Sequence, residues 1–429
     1  MINDRQGGSR MLSVDELPYL TAAIPGVGGV MKQRPADFVV EEVPLYEPAG
    51  SGTHVFFRVE KLGLPTAQAV QEIARTLGRQ KHEIGYAGLK DADAVARQTF
   101  SLEHVDPARI EALQVPGIRV LGVSRHTNKL RLGHHKGNRF IIKLRQVDPA
   151  RAGGVRAILD VLVRRGVPNY FGPQRFGMRG DTWQTGRALV RQDFDEALAV
   201  MLGRASERDR GAIAGARRLY DGGDYAAAAA TWPYMFRNER RACREMARTG
   251  GRALKAIRAV DQQARRFFVS AFQSMLFNQI VARRIDGLDR LLPGDLAWRH
   301  PQGAVFRVED VLREQPRCEA FEISPTGPLF GHRMTEPAGE AGGMERELLE
   351  QEGLIGCEWL EDGRHRAPGG RRPLRFKPHD AGVEQGRDDA GDYIQIAFFL
   401  ESGCYATTVL REICKTDSGI MEQPTGAIR

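Results

Sequence analysis

IGYAGLKDADAVARQTFSL spans Ile84 to Leu102 and reads as a strand, a tight loop and a second strand. Its first half is small and apolar, and its turn is polar: Lys90-Asp91-Ala92-Asp93. Beyond the turn the pattern alternates, with Phe100 and Leu102 on one face. The loop sets a carboxylate, Asp91, beside an ammonium, Lys90, between two strands able to hold both still. A Lys-Asp pair in a hairpin loop is most often a solvated turn. Local pattern alone therefore makes Asp91 a candidate catalytic group and no more.

Upstream, Thr66 to Gly78 reads as a helix. Thr66 is placed to cap it, Val70, Ile73, Ala74 and Leu77 form one apolar face, and Gly78 stops it. Before it, Val55, Phe57 and Val59 alternate with Phe56, Arg58 and Glu60, a strand with one buried face. Phe38 to Val43, behind a turn fixed by Pro35, is an earlier strand. Ile24 to Val30, IPGVGGV, has no GxGxxG; it reads as a flexible loop, and no dinucleotide site is expected.

Downstream, Leu130 to Val147 reads as two strands around Gly133-His134-His135-Lys136-Gly137. Adjacent histidines on a strand point to opposite faces and make a poor metal clamp. Val155 to Arg165 is an amphipathic helix closed by Gly166. Gly166 to Gly177 carries three glycines, two prolines and three aromatics, which excludes a regular element. With Arg175 it is a shaped loop of a composition suited to RNA contact, and also a domain junction. Ala188 to Arg218 and Tyr225 to Arg258 are rich in Ala and Arg and helical. Arg237, Arg241, Arg244 and Arg248 share one helical face; a stripe of one sign fits phosphate contact as well as a solvated face. A long helix follows from Gln263 to Asp286. Pro378 to Asp392 reads as a polar loop, Ile394 to Leu400 as a buried strand, and the run after Gly403 as a helix.

At 429 residues the chain suits two domains, and 42% hydrophobic content suits a packed core. There is no apolar run long enough for a membrane helix, no signal peptide is read at the start, and five scattered cysteines fit reduced, cytoplasmic thiols. A net charge of +8 is compatible with a polyanionic partner.

Several of these stretches carry a resemblance. Gly88-Leu89-Lys90-Asp91-x-x-Ala94-Val95-x-x-Gln98 resembles the signature loop of the TruD family of tRNA pseudouridine synthases. Lys32-x-x-Pro35-x-Asp37-Phe38, running on to Glu41 and Glu42, is similar to the family's opening segment. Gly137-Asn138-Arg139-Phe140 is similar to its G-N-x-F motif, and Asn169 to Gly177 to its N-Y-F-G-x-Q-R-F-G. Ser270 to Asn278, Leu292 to Asp295, Ile323 to Gly331 and Gly403 to Glu412 continue the match. Ala36 stands for the usual Glu, Ala92 for a basic residue, Ala96 for Thr and Cys404 for Ser.

The resemblance implies an α+β fold. A pseudouridine-synthase core, an antiparallel sheet flanked by helices, would come from residues 1–167 and 334–429, around an inserted α/β TRUD domain at 168–333. RNA would bind in the cleft between them. It implies isomerisation of uridine to pseudouridine in tRNA, at position 13, with no cofactor and no metal. Asp91 would be catalytic. Lys90, Asn138, Phe140, Tyr405, Arg175, Arg411 and the candidates Glu41 and Glu42 would contact substrate, with Phe140 stacked on uracil. A monomer without a protein partner and without membrane attachment is expected. The alternatives are an RNA-binding protein or tRNA chaperone without catalysis, and a nucleoside-cleaving hydrolase, which needs a second carboxylate and a water site.

Overall fold

The computed structural model of the protein describes residues 10–90 and 92–416. The chain forms two units. One runs from Tyr19 to Val167 and resumes at Phe376; the other holds residues 10–18 and Pro168–Arg375.

Among the described residues the sheet of the first unit has eight strands: β1 (Phe38–Pro44), β2 (His54–Leu62), β3 (Gly85–Tyr86), β4 (Val95–Glu103), β5 (Ile118–His126), β6 (His135–Arg145), β7 (His379–Asp388) and β8 (Gly391–Glu401). They lie in the order β7-β8-β6-β1-β4-β2-β5, with β3 paired to β4. The sheet is mixed rather than antiparallel, because β1 and β4 run parallel, Val40 opposite Ala96. The chain between them includes a helix, and parallel neighbours need such a crossover.

Among the described residues three longer helices flank the sheet: α1 (Thr66–Leu77), α2 (Ala152–Arg165) and α3 (Ala406–Cys414). Val70, Ile73, Ala74 and Leu77 of α1 pack with Val55, Phe57, Val59, Phe100 and Leu102. A second core joins α2 and α3 to Phe38, Val40, Phe140, Ile142, Ile394, Ile396 and Phe398. Each alternating run and helical face read from sequence thus buries the expected side. Gly78 stops α1 in the left-handed conformation, at φ 68°. The buried Arg145 guanidinium holds Asp37 at 2.6 Å and Asp388 at 2.7 Å.

Three local expectations give way here. Leu130 to Gly133 is loop, so β6 is one strand instead of a hairpin. The polar segment from 378 to 392 contains strand β7. As an edge strand with little to bury, its composition reads as loop, yet its backbone pairs with β8 from Asp388↔Gly391 to His379↔Phe399. The glycine-rich stretch near residue 27 is tied down: Val27 N–H donates to Ile413 O at 3.0 Å and Gly28 N–H to Cys414 O at 3.1 Å.

The second unit has helices Thr182–Val190, Phe194–Leu202, Gly211–Asp221, Tyr225–Thr231, Arg237–Thr249 and Ala253–Ala259, then the long Gln262–Arg283. Its sheet orders Gly370–Pro373, Ile323–Leu329, Leu296–Arg299 and Val305–Arg307, all antiparallel. Helices Val311–Glu319 and Gly339–Gln351 alternate with these strands along the chain, the mixed helix and strand content expected of the inserted domain. The unit also extends past the expected end at residue 333. Gly370–Pro373 pairs with Ile323–Leu329, Pro373 opposite Thr326, and keeps the chain in this unit to Arg375.

Candidate active site

Asp91 lies outside the described residues. The backbone on its N-terminal side is held closely. Thr66 is the first residue of α1, with Pro65 as its cap, so its hydroxyl is free for another task. That hydroxyl accepts from Lys90 N–H at 2.8 Å and donates to Gln98 Oε1 at 2.9 Å. Lys90 O in turn accepts from Thr66 N–H at 3.2 Å, filling one donor left open at the start of α1. Lys61 Nζ adds a contact to the same carbonyl at 3.3 Å. Gln98 Nε2 donates to Gly88 O at 2.9 Å. One helix start and two strands therefore fix the chain immediately before Asp91.

The Lys90 side chain turns inward and is 8% exposed. Its ammonium lies 3.4 Å from Glu42 Oε2 and donates to Asn138 Oδ1. Glu42 Oε1 accepts the Thr99 backbone N–H at 3.2 Å. Burial pushes the Lys90 ammonium below its ordinary range, opposed by Glu42. Sheet register explains the meeting. Glu42 is opposite Asn138, Val40 is opposite Phe140, and paired residues share a face. Glu41 points the other way and pairs with Arg58. Of the two carboxylates left open by sequence, Glu42 joins Lys90.

Phe140 follows Asn138 on that face. It packs edge-on to Phe38, centroids 6.1 Å apart, and against Phe398 at 5.5 Å, and only 8% of it is exposed. This is the core position that period two alone predicts. Gly137 lets β6 approach β8: a Cβ there would lie 2.1 Å from Leu400 O. Tyr405 precedes α3 and is 44% exposed. The Arg411 guanidinium lies 4.0 Å from the centre of the Tyr19 ring. Ala96 is fully buried on β4.

Arg175 belongs to the second unit. Its Nε donates to Ser274 Oγ at 3.2 Å, its Nη2 to Ser270 Oγ, and it lies over Phe267 at 5.3 Å. Asn278 accepts from Phe171 N–H at 2.8 Å and donates to Phe171 O at 2.9 Å. The Ser270 to Asn278 run, read as packing, thus also pins the Pro168 to Gly177 loop.

Sequence reasoning missed two residues of the Lys90 group. Lys61 carried a signal: it continues the inward phase of Val55, Phe57 and Val59, where an apolar residue belongs. His135 carried none. Strict alternation places it opposite Asn138, but the β1–β6 register skips Lys136, with Val43↔Gly137 followed by Pro44↔His135. This bulge turns His135 onto the face of Asn138 and Glu42. Its Cε1 then lies 3.5 Å from where a Cβ of Gly88 would be, beside Lys90 Nζ and Glu42 Oε2. His134 goes elsewhere, to the Tyr46 hydroxyl at 2.8 Å. Among the described residues no cluster of three or more His, Cys, Asp or Glu could hold a metal, and no helix is long and apolar enough to cross a membrane.

A model of the family described as tRNA pseudouridine synthase D (TruD) matches residues 15–413. A tRNA pseudouridine synthase D of Geotalea daltonii is 43% identical over 403 residues, covering 93% of this chain and 100% of its own. One from Geobacter sp. (strain M21) is 44% identical over 403 residues, covering 93% and 99%. The crystal structure described as tRNA pseudouridine synthase D (TruD) from Methanosarcina mazei matches with a TM-score of 0.83 at 27% identity, covering 94% of this chain and 97% of that one. The buried Lys90 loop, the sheet that holds it and these full-length matches agree: the chain belongs to the tRNA pseudouridine synthase D family.

Proposed function

We propose that this protein isomerises uridine to pseudouridine in tRNA, at position 13, with Asp91 as the catalytic residue. The observation that carries the reading is the 43% identity to a tRNA pseudouridine synthase D over 93% of the chain. The target base leaves its stack to be reached. The N1–C1′ bond breaks, uracil turns over, C5 bonds to C1′ and gives up its proton to solvent, and N1 takes one up, so the reaction is a net isomerisation. Two routes suit a carboxylate here: attack on C1′, or removal of the 2′ hydrogen. Both need Asp91 ionised, and the bonds to Lys90 O and N–H hold the residue before it.

In this reading the Lys90–Glu42–Asn138 group sets the field around the sugar. Phe140 and Tyr405 wall the pocket that retains the freed uracil, a stacking contact worth ~1–3 kcal/mol. Arg175 and Arg411 contact RNA. The protein acts as a monomer in the cytoplasm, whose reducing conditions suit its five free cysteines.

The test is tritium release from tRNA carrying 5-tritiated uridine. Wild type frees the C5 tritium. Asp91→Ala loses at least ~1000-fold in rate while binding tRNA nearly as well. Loss of binding of comparable size would remove Asp91 from its catalytic role. Tight binding without release from wild type would favour an RNA chaperone, and release of free uracil a hydrolase.

A further inference from the structure

His135 is unaccounted for by the reading above, yet the β6 bulge brings it to the Lys90–Glu42 pair. Its Nε2 lies 3.2 Å from Ser402 Oγ, at the turn after β8. Its Nδ1 is closed off from solvent. The charged groups that face it are Lys90, from the loop before β4, and Glu42, from β1; Ser402 and the Ala87 backbone are neutral.

We propose that His135 is a positioning residue of this site: tied to Ser402 and uncharged, it leaves Glu42 to Lys90 alone and so fixes the ammonium that precedes Asp91. The inference rests on the uridine-isomerase reading. It acts through a simple competition. A protonated His135 would be a second cation beside one buried carboxylate. Glu42 would then be shared, and Lys90 would lose part of its only carboxylate partner among the described residues. Burial and the Lys90 charge both hold the imidazole below its ordinary range, against weaker pulls from Glu42 and the Ala87 backbone. The neutral form is therefore the resting form, and acid pH disturbs the site through it.

Two measurements on the full-length protein test this. The first is NMR titration of the histidine rings, with His135 assigned by its absence in His135→Gln. His135 should titrate below the ordinary value of about 6.5 and move up in Lys90→Met. A titration unmoved by Lys90→Met overturns the proposal.

The second is the tritium assay from about pH 5.5 to 8.5, the span in which histidine changes charge. Glutamine can still bond Ser402 but cannot become charged. At high pH His135→Ala should run roughly fivefold below wild type, the scale of one lost hydrogen bond, and His135→Gln less far below. The gap between Gln and wild type should close as pH falls, because only wild type gains the second cation. Parallel profiles overturn the proposal. A wild type that releases no tritium at any pH would sink the isomerase reading instead, and the histidine titration would still decide the positioning.

Discussion

At the level of single residues, the site turns on one buried charge. Lys90 is 8% exposed and Glu42 6%, and each compensates the other. Breaking such a pair by removing one partner costs about 3–5 kcal/mol, because the remaining charge stays buried. Glu42→Gln should therefore destabilise the protein by that order at neutral pH. The sign of the pH dependence follows from the lowered Lys90 range. Between its folded and unfolded values the unfolded chain binds more protons, so stability rises with pH through that window. Without Glu42 the lysine loses an attraction that raises it, and the window reaches further toward neutral. Urea unfolding should show a smaller deficit for Glu42→Gln near pH 9.5 than near pH 7, as Lys90 discharges below its ordinary ~10.4. Equal deficits would mean that Lys90 stays charged and solvated. The motif residues Lys90 and Asn138 were legible in the sequence. The choice of Glu42 over Glu41 was not, because one residue of register separates the two faces.

At the level of elements, the helix Arg237–Thr249 carries the arginine stripe on an exposed face, as its spacing predicts. Two members are already in ion pairs, Arg241 with Asp261 at 2.6 Å and Arg248 with Glu245 at 2.6 Å, and Arg237 lies over the Tyr234 ring at 5.4 Å. Arg244 is exposed and is the sharper probe. Arg244→Glu should weaken tRNA binding and lower the slope of log affinity against log salt by about 1, one phosphate contact. Arg241→Glu should do the same and also lose its contact with Asp261. Binding isotherms between about 50 and 200 mM salt read this directly; unchanged slopes would make the stripe a solvated face. Elements were legible where local period and burial agree, as in α1, β2, β4 and β8. They were misread where pairing, not side-chain burial, makes the element. β7 buries little more than Val383 and exists because β8 offers a partner strand.

For the whole molecule, the second unit is not one continuous insertion. Leu12 N–H donates to Gln279 Oε1 at 2.9 Å, Gln279 Nε2 donates back to Leu12 O at 3.0 Å, and Tyr170 OH donates to Pro18 O at 3.3 Å. Deleting residues 1–18 should loosen the Gln262–Arg283 helix and leave the β1–β8 sheet intact. Hydrogen exchange by mass spectrometry should show faster exchange in that helix and unchanged protection in β2, β4 and β8; equal loosening of both units would count against this division. The sequence by itself determined the family, the strand–loop–strand course around Lys90, the two buried strand faces and the α+β class. These rest on side-chain identity and on periods of two and 3.6, which are properties of neighbouring residues. Only the tertiary structure decided that the second unit runs to Arg375, that Glu42 rather than Glu41 meets Lys90, and that His135 joins them. Those depend on strand register, on a bulge one residue long and on pairing between segments far apart in sequence, where the free energy lies in contacts that no local pattern contains.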